Sequence, residues 1–224
     1  MSDPGHVRHS QAQDAQIVAD DIEKAKREAA NSLRQAERVR EYVLQALDGR
    51  PFKLRLSTIL DLNRCAIEGL NAYAGNFRPG AVEIGHSKHV PPGGHLVPEL
   101  VEEMCDYVND NWEARSAVHL ASFVMWRLNW IHPFADGNGR TSRAVSYLVL
   151  CVREGMLLPG SETIPEQIVA NRGPYYTALE TADDKHQAAS GYPFDVVDVM
   201  EELMGGMLAQ QLKSAFDRAV GAAK

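Results

Sequence analysis

One run constrains the fold more than any other part of the chain: Ile131-His132-Pro133-Phe134-Ala135-Asp136-Gly137-Asn138-Gly139-Arg140-Thr141-Ser142-Arg143. Pro133 cannot continue a helix, and Gly137 and Gly139 permit positive φ, so the backbone is expected to bend tightly with its amide hydrogens turned inward. Apolar residues at helical spacing flank the run on both sides, over 116–130 and 140–154, which makes it a loop between two core helices. Further helices are expected over 14–47, from Ser57 or Thr58 through Ile67, and over 97–112, 165–181 and 194–220, with breakers such as Gly49, Arg50 and Pro51 between them. The pattern changes between residues 81 and 90, where Val82 and Ile84 lead to a tip of glycine, histidine and lysine, the mark of a short hairpin. The expected fold is mainly α, a helical bundle with one small hairpin. Residues 1–50 read as an N-terminal helical extension and 51–224 as the core.

Composition narrows the function. The 224 residues carry a formal net charge of −7, the wrong sign for a protein that holds nucleic acid by counterion release. No apolar stretch approaches the roughly 20 residues needed to span a bilayer, and residues 1–16 lack the basic and apolar regions of a secretion signal. These features imply a cytoplasmic protein with neither nucleic acid nor membrane as partner. Cys65, Cys105 and Cys151 are an odd set without CxxC spacing and read as small core residues.

The loop carries the chemistry. A glycine-hinged bend followed at once by a helix N-terminus is an anion nest, because free amide groups and the positive end of the helix dipole face one concavity. Arg140 and Arg143, three apart, project from one face of that first turn, where the dipole disfavours them. A multiply charged anion that both must grip explains their position, and phosphate suits the guanidinium fork. Asp136 offers a hard oxygen suited to Mg²⁺ on a polyphosphate, and Asn138 an uncharged donor for developing charge. His132, with an ordinary pKa of about 6.5, is mostly free base at neutral pH and can take a proton from an attacking hydroxyl. Phe134 faces the other way and is expected to plug the core. The implied class is phosphoryl or nucleotidyl transfer.

Residues 132–143 match every fixed position of HxFx[D/E]GNGRxxR, and the chain thereby resembles Fic-domain proteins. The resemblance extends to GNFR at 75–78, to the hairpin near GHSKHVPP and to YYTALETAD beyond the motif. It implies a Fic-like helical bundle with a short hairpin flap, binding Mg·ATP and moving AMP onto a Ser, Thr or Tyr hydroxyl of a target protein with release of pyrophosphate. It also implies that His132 is the general base and Asp136 the magnesium ligand. Asn138, with the amides of Gly137 and Gly139, would form the anion hole, and Arg140 and Arg143 would hold the outer phosphates. The intact GNGR favours AMP transfer over kinase-like relatives. The alternatives are a nucleotide-sensing, peptide-binding module without catalysis, or transfer of another phosphate-linked group.

Three further expectations concern the periphery. An exposed strand edge can accept an extended partner segment, so Val82, Ile84, His86, His89 and Val90 form the expected target-docking edge. His86, His89 and His95 lack a carboxylate or thiol in register and make a poor zinc set. Tyr176 and Glu180, four apart after the motif, can face one pocket with the ring packing on adenine, while Asp183 stands where relatives often carry Asn. The inhibitory [S/T]xxxE[G/N] pattern of many relatives is missing, since Arg64 precedes Glu68-Gly69 and Leu150 precedes Glu154-Gly155. The long N-terminal helix can cover the site, bind a separate inhibitory protein or buttress the core; its apolar spacing favours buttressing.

Overall fold

Helix α1 (Asp21–Leu47) starts where the Asp20 carboxylate accepts a hydrogen bond from the Glu23 amide, and stops before Gly49 at φ +81°. It packs on α2 (Leu56–Ile67) and on α5 (Asn138–Arg153). The computed structural model describes residues 10–11, 16–49, 51–188 and 195–221. The expected helix start at residue 14, the break at Arg50 and Phe194 lie outside the described residues.

Helix α4 (Ala117–Ile131) lies at the centre. Its sequence is apolar on nearly every face, the pattern of a helix surrounded by others, and α3 (Val97–Asp110), α5, α7 (Arg172–Ala188) and α8 (Asp198–Ala219) all pack against it. Ser116 caps its start by accepting from the His119 amide at 3.0 Å. Its far end is fixed by Pro133 and by His132 in the left-handed conformation. The fully buried Phe123, Trp126 and Leu128 of α4 meet Val145, Leu148 and Val149 of α5 in one core. Burying each such side chain is worth roughly 1.5–3 kcal/mol. All three cysteines are buried and unbonded, as expected. The outer helix α8 is tied down where Glu201 accepts from the buried His119 ring at 2.8 Å.

Two expectations need correcting. The helix expected over 165–181 is two, α6 (Ile164–Ala170) and α7, separated at Asn171, whose backbone is extended (φ −142°, ψ 91°). Pro174 has no N–H to donate back into α6, so the ladder breaks, and its ring is tolerated in the first turn of the helix that restarts at Arg172. The expected hairpin over 81–90 reduces to β2 (Glu83–Ile84). It pairs not with the residues that follow but antiparallel with β1 (Ser10–Gln11), Ser10 opposite Ile84 and Gln11 opposite Glu83. With only two apolar positions and a turn at His86 (φ 59°), the segment is too short to form both arms. One edge of the expected docking strand is therefore taken by the chain's own N-terminal segment. Among the described residues the fold remains mainly α, with eight α-helices and this small sheet.

Candidate active site

Residues 132–137 carry the chain from α4 into α5, and side-chain amides close the loop. Asn138 Oδ1 accepts from the Phe134 amide at 2.9 Å while its Nδ2 donates to the Phe134 carbonyl at 2.8 Å. From α2, Asn63 donates to the Asp136 carbonyl at 3.1 Å and to Thr141 Oγ1 at 3.2 Å, and accepts from the Gly75 amide at 3.0 Å. Phe134 is buried with its ring centroid 5.9 Å from that of Phe77, the plug that the pattern predicted. Gly137 (φ +78°) precedes α5, and a Cβ there would sit 2.7 Å from Ile67 Cγ2.

Two motif residues work differently from expectation. Gly139 has no positive φ; it lies in the first turn of α5, where a Cβ would come within 3.2 Å of Arg143 Nη1, so glycine makes room for that guanidinium. Asn138 was expected to face an anion directly, yet its side chain engages Phe134 and acts as the loop's lock. The concavity draws its donors instead from backbone N–H groups at the start of α5.

His132 is 6% exposed, and its Nδ1 lies 3.3 Å from the Asn129 carbonyl. Burial pushes its pKa down to about 4, the Asn129 carbonyl opposing and the nearby Arg78 and His89 adding to the fall. The imidazole is therefore neutral at physiological pH, and an Nδ1–H donated to Asn129 leaves the lone pair on Nε2. Arg78 secures this end of α4. Its Nε donates to the His132 carbonyl at 2.8 Å, Nη1 to Gly80 at 2.6 Å and Nη2 to the Pro92 carbonyl, while its own amide donates to Pro133 at 2.9 Å. The base of the flap and the motif loop share this one buried guanidinium.

The charges are unevenly paired. Arg140 Nη2 reaches both Asp136 oxygens, at 3.2 and 3.1 Å, and its Nη1 lies 3.3 Å from the Ala66 carbonyl and 3.8 Å from Glu28 of α1. Arg143 makes no hydrogen bond or ion pair with any described residue, and burial lowers its pKa. A cavity of about 710 Å³ brings His132, Asp136, Arg140 and Arg143 together with Ile84 and His89 of the flap and with Tyr176 and Asp183 of α7. Tyr176 thus reaches the cavity; Glu180 is exposed and is not on its wall. Asp183 lines it instead, one oxygen accepting from Trp126 Nε1 at 2.8 Å. Of the flap residues, Val82 is buried, His86 and Val90 are exposed, and His89 Nε2 donates to the Trp130 carbonyl at 2.7 Å. Among the described residues no three His, Cys, Asp or Glu side chains are grouped to hold a metal.

Several participants escaped the sequence reading. Asn63 and Asn129 sit on helix faces that are otherwise core, and that position was the available signal. Asn129 Nδ2 lies within 2.9 Å of Ser142 Oγ and Tyr175 Oη. Glu28 and Arg172 carry no such mark.

Residues 53–150 match the model of the Fic/DOC family. Over that stretch, a little under half of its length, the chain is similar to Fic/DOC family domains. It is 32% identical over 134 residues to the protein adenylyltransferase Fic of Drosophila willistoni, and 29% identical over 136 residues to the protein adenylyltransferase fic-1 of Caenorhabditis briggsae. These alignments cover 59% and 58% of this chain, which spans about a quarter (25% and 24%) of the length of those relatives. The fold is similar to that of a Fic-domain-containing signalling protein from Bacteroides thetaiotaomicron, with TM-score 0.68, 20% identity, and coverage of 87% of this chain and 73% of that one. It is also similar to Fic-1 from C. elegans, with TM-score 0.59 and 20% identity over 92% of this chain and 54% of that one. The Fic domain match ends within α5, so α1 and α7, which complete the cavity, lie outside it. Among the described residues no helix is long and apolar enough to cross a membrane.

Proposed function

We propose that this chain is a protein adenylyltransferase that moves AMP from Mg·ATP to a hydroxyl of a target protein. The observation that carries the reading is that one cavity holds a buried, uncharged imidazole, a helix N-terminus and a half-buried arginine with no ion-pair partner among the described residues. His132 Nε2 takes the proton of the target hydroxyl as its oxygen attacks the α-phosphorus. The bond from that phosphorus to the β-phosphate bridge breaks, and pyrophosphate leaves. Arg140, Arg143 and the α5 amides hold the triphosphate so that attack and departure are in line. The donor set suits magnesium that arrives with the nucleotide: the Asp136 carboxylate lines the cavity beside the start of α5, and Mg²⁺ commonly takes one or two protein carboxylates with phosphate oxygens and water for the rest. When bound, the ion neutralises phosphate charge. The names of the curated relatives support the reading.

Incubating wild type and His132→Ala with α-labelled ATP and a lysate tests it. Label on proteins with wild type and its loss with the variant are expected, while ATP binding measured by calorimetry stays within a few fold. Equal labelling by both refutes the base assignment. Mass spectrometry of the modified protein reads whether the group is AMP.

A further inference from the structure

The cavity's charges do not cancel in place. Arg140 is engaged by Asp136 and Glu28, and Asp183 is engaged by Trp126. Arg172, the first residue of α7, also lines the cavity and, like Arg143, forms no hydrogen bond or ion pair with any described residue. Arg172 and Arg140 both act on Arg143 repulsively. Two half-buried guanidiniums from different helices thus face one cavity, with no carboxylate between them. Such an arrangement is costly unless an anion joins it. Arg172 also begins a helix, where the dipole disfavours a cation.

We propose that Arg172 is a further polyphosphate-binding residue, which with Arg143 grips the terminal phosphate of a nucleoside triphosphate. The assignment rests on the nucleotide-transfer reading above. It divides the work between the arginines: Arg140, already neutralised, orders the Asp136 side of the loop, while Arg143 and Arg172 supply the net positive charge. A terminal phosphate, with two charges and three oxygens, can accept from both forks. A nucleoside monophosphate has nothing to place there.

Calorimetry on the full chain decides the matter, with ATP and AMP in the presence of magnesium and with inorganic tripolyphosphate as probes. Arg172→Gln is expected to weaken ATP and tripolyphosphate about tenfold while leaving AMP within twofold. Arg172→Lys should recover only part of the loss, because an ammonium lacks the fork. Thermal melts confirm that both variants fold, and with no partner to orphan at this site, little change is expected. Unchanged ATP and tripolyphosphate affinity in Arg172→Gln overturns the assignment, as does an equal loss for AMP. If wild type itself binds neither ATP nor tripolyphosphate, the underlying nucleotide reading fails, a result distinguishable from failure at Arg172.

Discussion

A histidine that titrates near 4 behaves differently from one that titrates at its ordinary value of about 6.5. In the free enzyme His132 stays neutral through the mildly acid range, so kcat/KM is expected to show no inflection near pH 6.5, its acid limb lying below pH 5. Profiles of kcat/KM against pH in overlapping buffers check this, and a limb at 6.5 would show that the buried imidazole is better solvated than its position implies. The same burial works against stability in acid. Between pH 6.5 and 4 the unfolded chain binds a proton that the folded chain does not, so stability falls as pH falls through that window, by up to about 3 kcal/mol from this group. His132→Asn should flatten that part of the curve in chemical denaturation. Two glycines separate backbone from binding. Gly137→Ala meets both the positive φ and Ile67, and should cost about 2–4 kcal/mol. Gly139→Ala meets only the movable end of Arg143 and should cost under about 1 kcal/mol, while weakening polyphosphate binding severalfold. Equal melting temperatures for the two variants would contradict this division.

Helices α1 and α7 separate what the sequence discloses from what it conceals. Most helices of the bundle are announced by apolar residues at helical spacing, and the motif shows its chemistry because Pro133, Gly137 and two arginines conflict with plain helix. The inward face of α1 escaped the same reasoning. Ile22 and Leu33, part of its apparent apolar stripe, are 69% and 76% exposed, whereas Asn31 and Gln35 are buried, bonded to carbonyls of residues 62–68. Buttressing by apolar packing therefore holds for the second half of α1, at Val39, Tyr42 and Val43; the first half is polar toward the site, and Lys24, Glu28 and Ser32 line the cavity. Hydrophobicity cannot show such a face, because its partners are backbone oxygens remote in sequence. The flap failed for a related reason: pairing with Ser10–Gln11 is a long-range choice that local alternation does not encode. Breaking α1's link to the site has a measurable sign. The Glu28–Arg140 pair is long and half-exposed, so Glu28→Gln should leave stability within about 0.5 kcal/mol. It removes a negative charge from the proposed triphosphate site, and ATP affinity should rise about threefold at low salt and less at high salt. Weaker binding would mean instead that Glu28 positions Arg140 for the phosphates.

Across the whole molecule, the site is a meeting of segments that no single helix could bring together, and Arg78 is where they join. Its guanidinium is 3% exposed and has no carboxylate partner among the described residues; it is held by the carbonyls of His132, Gly80 and Pro92. Burying a cation in this way is unfavourable, and burial alone lowers its pKa. What offsets the cost is that one planar fork satisfies three backbone oxygens, the buried one of His132 at α4's end and the partly buried ones of Gly80 and Pro92 on both sides of the flap. Fold and site therefore share a single point of failure. Arg78→Met leaves those oxygens unpaired and should destabilise by about 3–5 kcal/mol. For a chain of this size that is roughly 6–20 °C in Tm. It also removes a positive charge beside His132, so in the surviving folded population the imidazole's pKa should move up from about 4, and the acid limb of kcat/KM with it. Arg78→Lys keeps the charge but not the fork. It should lose most of the stability while leaving the acid limb where it is in wild type. Melting curves read the first effect and pH profiles the second; if both variants shift the limb alike, the field of Arg78 does not reach the imidazole, and its role is confined to holding the flap against the loop.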